Sequence, residues 1–173
     1  MIEAYWPQTL LTVAFAIAVA IDLRSHRIPN WLTFGLLALA LIGSLMVGAW
    51  PGLLISLGGA TVGLVCFLPL HIFGAMGAGD VKLMAAAGAV LGPQGAVIGA
   101  LATVVFGGFL ALAFIGSHGG LAALWHRYRH MALMLAHRQP VYLAPAPGEA
   151  ASKRFPYALA IACGSIFSLW YLA

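Results

Sequence analysis

Six apolar runs, at residues 6–23, 31–49, 52–73, 81–91, 96–116 and 155–172, leave this chain almost no way to fold in water. A helix that crosses a bilayer needs about 20 mainly apolar residues, fewer where its ends snorkel or the bilayer thins. Hydrophobic residues make up 63% of the 173, and only 7% are charged, whereas soluble domains carry about a quarter charged residues. The expected architecture is therefore all-α, a polytopic integral membrane protein of about six transmembrane helices. No charge-rich linker divides it, so residues 1–173 read as a single membrane-embedded domain.

The fourth run is too short to span alone, and Gly92-Pro93 reads as a turn, which predicts a short helix packed inside the bundle. The cations test the count of spans. Arg24 and Arg27 lie in the first loop, Lys82 follows the third run, and Arg127, Arg129, Arg138, Lys153 and Arg154 fill the fifth loop. With six spans, all eight Lys and Arg fall on one side, and the positive-inside bias makes that side the cytoplasm, with both termini outside. The net charge of +4 thus reports topology. It forms no single exposed patch of the kind that binds nucleic acid.

Within the fifth loop, Leu121, Leu124, Trp125, Tyr128, Ala132 and Leu135 recur at helical spacing opposite His126, Arg127, His130 and Arg138. This predicts an amphipathic helix on the cytoplasmic membrane surface, drawn to anionic lipid. From Gln139 to Ser152, Pro140, Pro145, Pro147 and Gly148 predict an irregular linker. Cys66 and Cys163 lie inside apolar runs with no second ligand at metal-binding spacing, and they read as packing residues. No metal and no cofactor is expected.

Four acids exist in the chain. Glu3 and Glu149 lie near its ends, whereas Asp22 closes the first apolar run and Asp80 opens the fourth. A carboxylate in or near hydrocarbon is costly, which makes each a functional candidate. A plain structural reading competes with this for either one alone, because an aspartate caps a helix start well. As a pair they fit a chemistry. The end of the first helix and the start of the fourth fall on the same face of the membrane, and two carboxyls brought together cannot both ionise easily. One then holds a proton as acid while the other activates water as base. Gly77 and Gly79, just before Asp80, permit a tight backbone turn and a close approach to the carboxylate.

The run Gly77-Ala78-Gly79-Asp80 followed by Lys82, with Asp22-x-Arg24 and Ile28-Pro29-Asn30, resembles the bacterial type IV prepilin peptidases, the membrane aspartic proteases marked by Gly-x-Gly-Asp. The resemblance covers most of the chain from Ile21 to the last helix. It implies that Asp22 and Asp80 are the catalytic pair. Their task would be to cut a short basic leader from prepilins or pseudopilins, substrates with an apolar N-terminal helix, at the cytoplasmic face of the inner membrane. It further implies that Gly77, Gly79, Lys82, Arg24, Pro29 and Asn30 shape the site. For Lys82 and Arg24, tuning the acids, binding lipid headgroups and anchoring helix ends all remain open. Pro156, at the start of the last helix, answers to a proline-containing stretch that shapes the substrate groove in such proteases, or is an ordinary helix-start proline.

Larger members of that family carry paired Cys-x-x-Cys motifs and methylate the new N-terminus. This chain has no Cys-x-x-Cys, so methyltransferase activity is not expected, and it resembles the short form that serves tight-adherence (Flp-type) pili. The competing reading is a small ion- or proton-coupled transporter with the two aspartates as relay groups, a class that often shows a repeated half. No such repeat is visible here.

Overall fold

The computed structural model describes residues 2–137 and 156–172, and they form five helices: α1 (Ile2–Ser25), α2 (Asn30–Ile72), α3 (Ala78–Ser117), α4 (Leu121–Ala136) and α5 (Tyr157–Leu172). The linker at 139–152 lies outside the described residues. Three helices are long and apolar enough to cross a membrane, within α1, α2 and α3, and α5 is a shorter apolar helix. Two compact units are present. One holds the described residues up to Gly107 together with those from Pro156, and the other the described residues from Gly108 to His137.

Neither α2 nor α3 is one straight rod. Ala49 breaks α2 with φ 48° and ψ −144°, and Gly92 breaks α3 with φ 72° and ψ 175°. Each break precedes a proline, Pro51 or Pro93, that cannot take up the preceding ladder of hydrogen bonds. The chain doubles back at both. A Cβ on Gly52 would collide with the carbonyl of Ser44, and one on Gly88 would lie 3.2 Å from the Cβ of Ala96. In a straight helix, residues eight apart are separated by about 12 Å. The breaks coincide with the two uncharged loops expected from sequence.

Backbone conformation fixes the turn at Gly92, because its φ and ψ lie in a region that is essentially glycine's alone. Gly92→Ala is expected to cost about 1–3 kcal/mol, seen as a lower thermal midpoint in detergent. An unchanged midpoint would show that the turn does not depend on this glycine.

Small residues then let the segments approach closely. Gly59 and Gly88 each lie against the other's carbonyl, and Gly63 lies against that of Met84, so the second half of α2 runs antiparallel to the first half of α3. Gly164 packs on Thr103 and Gly99, and Gly95 on Ser168 and Leu172, so α5 runs antiparallel to the second half of α3. Helix α1 packs against α5 and α2, with the Trp6 indole on Gly43. Hydroxyls stitch the same interfaces: Ser56 Oγ donates to the Ala89 carbonyl at 2.7 Å and Ser168 Oγ to that of Gly95 at 2.8 Å. In lipid, where burying apolar surface drives nothing, such close packing and hydrogen bonding hold helices together.

The first half of α3 is the most continuously buried stretch, from Asp80 to Ala89 apart from Lys82. Residues 78–91 rise only about 21 Å, and the 16 residues of α5 about 24 Å. Both fall short of the ~30 Å hydrocarbon core.

In the second unit, α3 ends in a glycine-terminated motif. Gly119 takes φ 70°, its N–H donates to the Gly116 carbonyl, and that of Gly120 donates to Ile115, which satisfies two carbonyls at the helix end. No residue of α4 is buried within the chain.

Candidate active site

The end of α1, both ends of the Asn30–Ile72 helix, and the starts of α3 and α5 meet at one end of the first unit, and the hydrogen bonds of the helix termini show how. Asp22 sits in the last turn of α1, three residues before Ser25. Its carbonyl accepts the His26 N–H at 2.8 Å, with His26 at φ 49°, a left-handed cap that ends the helix. Its side chain points the other way, into the bundle, and is 5% exposed. There Oδ2 accepts the N–H of Ala158 at 3.1 Å. An unpaired amide in the first turn of α5 is thus satisfied by a carboxylate from another helix.

Asp80 does the same within its own helix. Gly77 precedes α3, and its carbonyl accepts the N–H groups of Asp80 at 3.1 Å and Val81 at 3.4 Å. In return Asp80 Oδ2 accepts the Gly77 N–H at 3.0 Å, the reciprocal half of a capping box. Asp80 is 9% exposed. Gly77 has no Cβ for a reason visible here, since one would lie 3.2 Å from that carboxylate oxygen.

Gly79 serves a different neighbour. A Cβ there would lie 3.1 Å from the Cβ of Ile28, so the space beside this glycine is filled by the Ile28-Pro29-Asn30 turn. Pro29 is extended, with ψ 143°, and precedes α2. Lys82 Nζ donates to Asn30 Oδ1 at 2.9 Å and stands 5.5 Å over the Phe34 ring. The motifs around Asp22 and Asp80 are therefore joined by Ile28 on Gly79 and Asn30 on Lys82.

The two carboxylates are close enough for the charge of Asp22 to be felt at Asp80, and Asp80 interacts electrostatically with Tyr157. Tyr157 opens α5 directly before Ala158 and after Pro156. Pro156 has no N–H to leave unpaired, which suits it to a helix start. Neither Tyr157 nor the Ala158 amide is foreseen from sequence. Pro156 marks the helix start, but nothing in the local pattern says that it faces the end of α1. Arg24 stands apart: it is exposed and makes no ion pair among the described residues.

Among the described residues, no group of three His, Cys, Asp or Glu side chains could hold a metal ion. What the arrangement offers is two carboxylates buried at the same end of the unit, each oriented by a backbone amide, with Tyr157 at the adjoining helix start. Such a pair can exchange protons with water and a carbonyl.

Residues 9–112 match a family model described as the type IV leader peptidase family. The matched stretch contains both aspartates, the Ile28-Pro29-Asn30 turn and the Gly77–Asp80 motif, and it ends before α5. No curated protein and no solved structure matches the chain.

Proposed function

Because the chain belongs to the type IV leader peptidase family, and so to the proteases, we propose that it is a membrane aspartic endopeptidase with Asp22 and Asp80 as its catalytic pair. The observation that carries the aspartic assignment is the burial of both carboxylates at one end of one unit, within electrostatic reach of each other. The substrate is proposed to be a type IV prepilin or pseudopilin of the Flp type, cut between its short basic leader and its apolar helix, with no N-methylation afterwards.

In this mechanism one carboxylate is ionised and takes a proton from water as the hydroxide adds to the scissile carbonyl carbon. The other, protonated, gives its proton to the carbonyl oxygen. The tetrahedral diol then collapses. A proton passes from the pair to the leaving nitrogen as a diol hydroxyl returns one to the pair, the C–N bond breaks, and a carboxylic acid and an amine are released with the pair again singly protonated. Which aspartate starts with the proton is a property of the pair.

We further propose six membrane crossings, with the breaks at Ala49 and Gly92 as the two loops on the side away from the aspartates. The inner membrane, a cytoplasmic site, termini on the opposite side and a surface position for α4 follow from the cation distribution. The direct test is incubation of the purified protein in lipid with a prepilin, reading leader removal by mass. A product cut elsewhere, or none, would remove this reading.

Tyr157 is proposed to position Asp80 through its phenol. Tyr157→Phe removes only that oxygen. It is expected to lower kcat about tenfold, the equivalent of one hydrogen bond to a charged group, while KM stays within about twofold. A kcat within twofold of the parent would take Tyr157 out of the site.

A further inference from the structure

One concave feature of the first unit is lined by neither aspartate. The two halves of α2 and the first half of α3 enclose a cavity of about 210 Å³, lined among others by Thr33, Phe34, Thr61, Leu64, Ala85 and Lys82. Its walls are apolar in effect, because both threonine hydroxyls are already used. Thr33 Oγ1 donates to the Asn30 carbonyl at 3.1 Å and Thr61 Oγ1 to that of Leu57 at 2.9 Å. Phe34, Thr61 and Leu64 are exposed, so the cavity opens on the outer surface of the unit.

One group in the lining can recognise a ligand by charge. Lys82 spends one N–H on a neutral amide, Asn30, and stands over the Phe34 ring; among the described residues no carboxylate pairs with it. Its charge is uncompensated at one end of an apolar slot, the end shared with Arg24 and Arg27, where the cation distribution puts the cytoplasmic boundary of the membrane.

The charge decides between occupants. The groove opens outward between apolar walls, along which a hydrocarbon chain can lie, and the uncompensated ammonium at its end selects an anionic head. We propose that this groove holds one acyl chain of an anionic phospholipid, with the lipid phosphate on Lys82 Nζ. The inference stands independently of the peptidase reading.

The test is native mass spectrometry of the full chain in detergent. It is titrated with phosphatidylglycerol or with phosphatidylcholine of identical acyl chains, and with inorganic phosphate as a third arm. The parent is expected to retain one phosphatidylglycerol about fivefold more readily than phosphatidylcholine, the size of effect of one cation near an anionic headgroup. Lys82→Gln, which can still donate to Asn30, is expected to abolish that preference. Thr61→Trp, which fills the groove from an exposed position, is expected to weaken retention of both lipids.

Equal retention of the two lipids by the parent, or a preference that survives Lys82→Gln, would overturn the proposal. Inorganic phosphate that displaces phosphatidylglycerol would reduce the site to a bare anion site. Displacement by an apolar helical peptide carrying a glutamate would assign the groove to a protein partner, and either result overturns it as well.

Discussion

Asp22→Asn and Asp80→Asn proteins are each expected to lose leader cleavage by a factor of at least about 10² to 10⁴, the range that positioned acid–base groups contribute. The double variant is expected to be little worse than either single one, because the two groups act as a unit. Asparagine is the informative substitution. It keeps an oxygen that can accept the Ala158 N–H at position 22 and the Gly77 N–H at position 80, so folding is retained while proton exchange is lost. Alanine confounds the two effects: Asp22→Ala leaves a buried amide unpaired at a cost of about 1–3 kcal/mol. Initial cleavage rates measured beside thermal midpoints in detergent separate them. An Asp22→Asn or Asp80→Asn protein that still cuts would end the dyad assignment and bring the transporter reading forward.

The largest structural effect is expected from Gly59. Its Cβ position is occupied by the carbonyl of Gly88, and the clash is with backbone on both sides, so no side chain can swing away to relieve it. Gly59→Val must separate the second half of α2 from the first half of α3, the helix that carries Asp80. Overpacking typically costs 1–3 kcal/mol, and about 3 kcal/mol or more is expected here because the obstacle is rigid. A depressed thermal midpoint and poor recovery from the membrane would show it. Gly35→Val, on the same helix with nothing within 4 Å of its Cβ position, is the control. Equal tolerance of the two changes would mean that these helices are not in close contact.

Much of this was legible in the sequence because hydrocarbon imposes simple rules. Runs of apolar residues announced helices, Gly92-Pro93 announced a turn, and the scarcity of acids singled out Asp22 and Asp80. The turn at Ala49 was harder to read, since a positive φ at alanine gives no local signal. The partners of the aspartates were hidden for another reason. The Ala158 amide is 136 positions away from Asp22, and no periodicity encodes such a distance. The neighbour of Gly79 was also invisible: the sequence suggested a turn with room beside the carboxylate, and only packing shows that Ile28 takes up the space at its Cβ position. The contacts of Gly59, Gly88 and Gly164 were hidden too in a chain with 21 glycines, because only the helices they face single them out.

The two shortest segments of the first unit are also the two whose starts hold the site: residues 78–91 begin beside Asp80, and α5 begins at Tyr157. Each is some 6–9 Å shorter than the hydrocarbon core is thick. A bilayer meets such a mismatch by thinning locally, at a cost of fractions of a kcal/mol per Å. On the proposed six-crossing, aspartic reading, such a dent would bring headgroups and water down to the carboxylates, so that hydrolysis would proceed at the floor of a hydrated depression while the apolar helix of the proposed substrate stays in lipid. The membrane's elasticity then becomes part of the enzyme: a thick, stiff bilayer resists the depression and a thin one grants it at little cost.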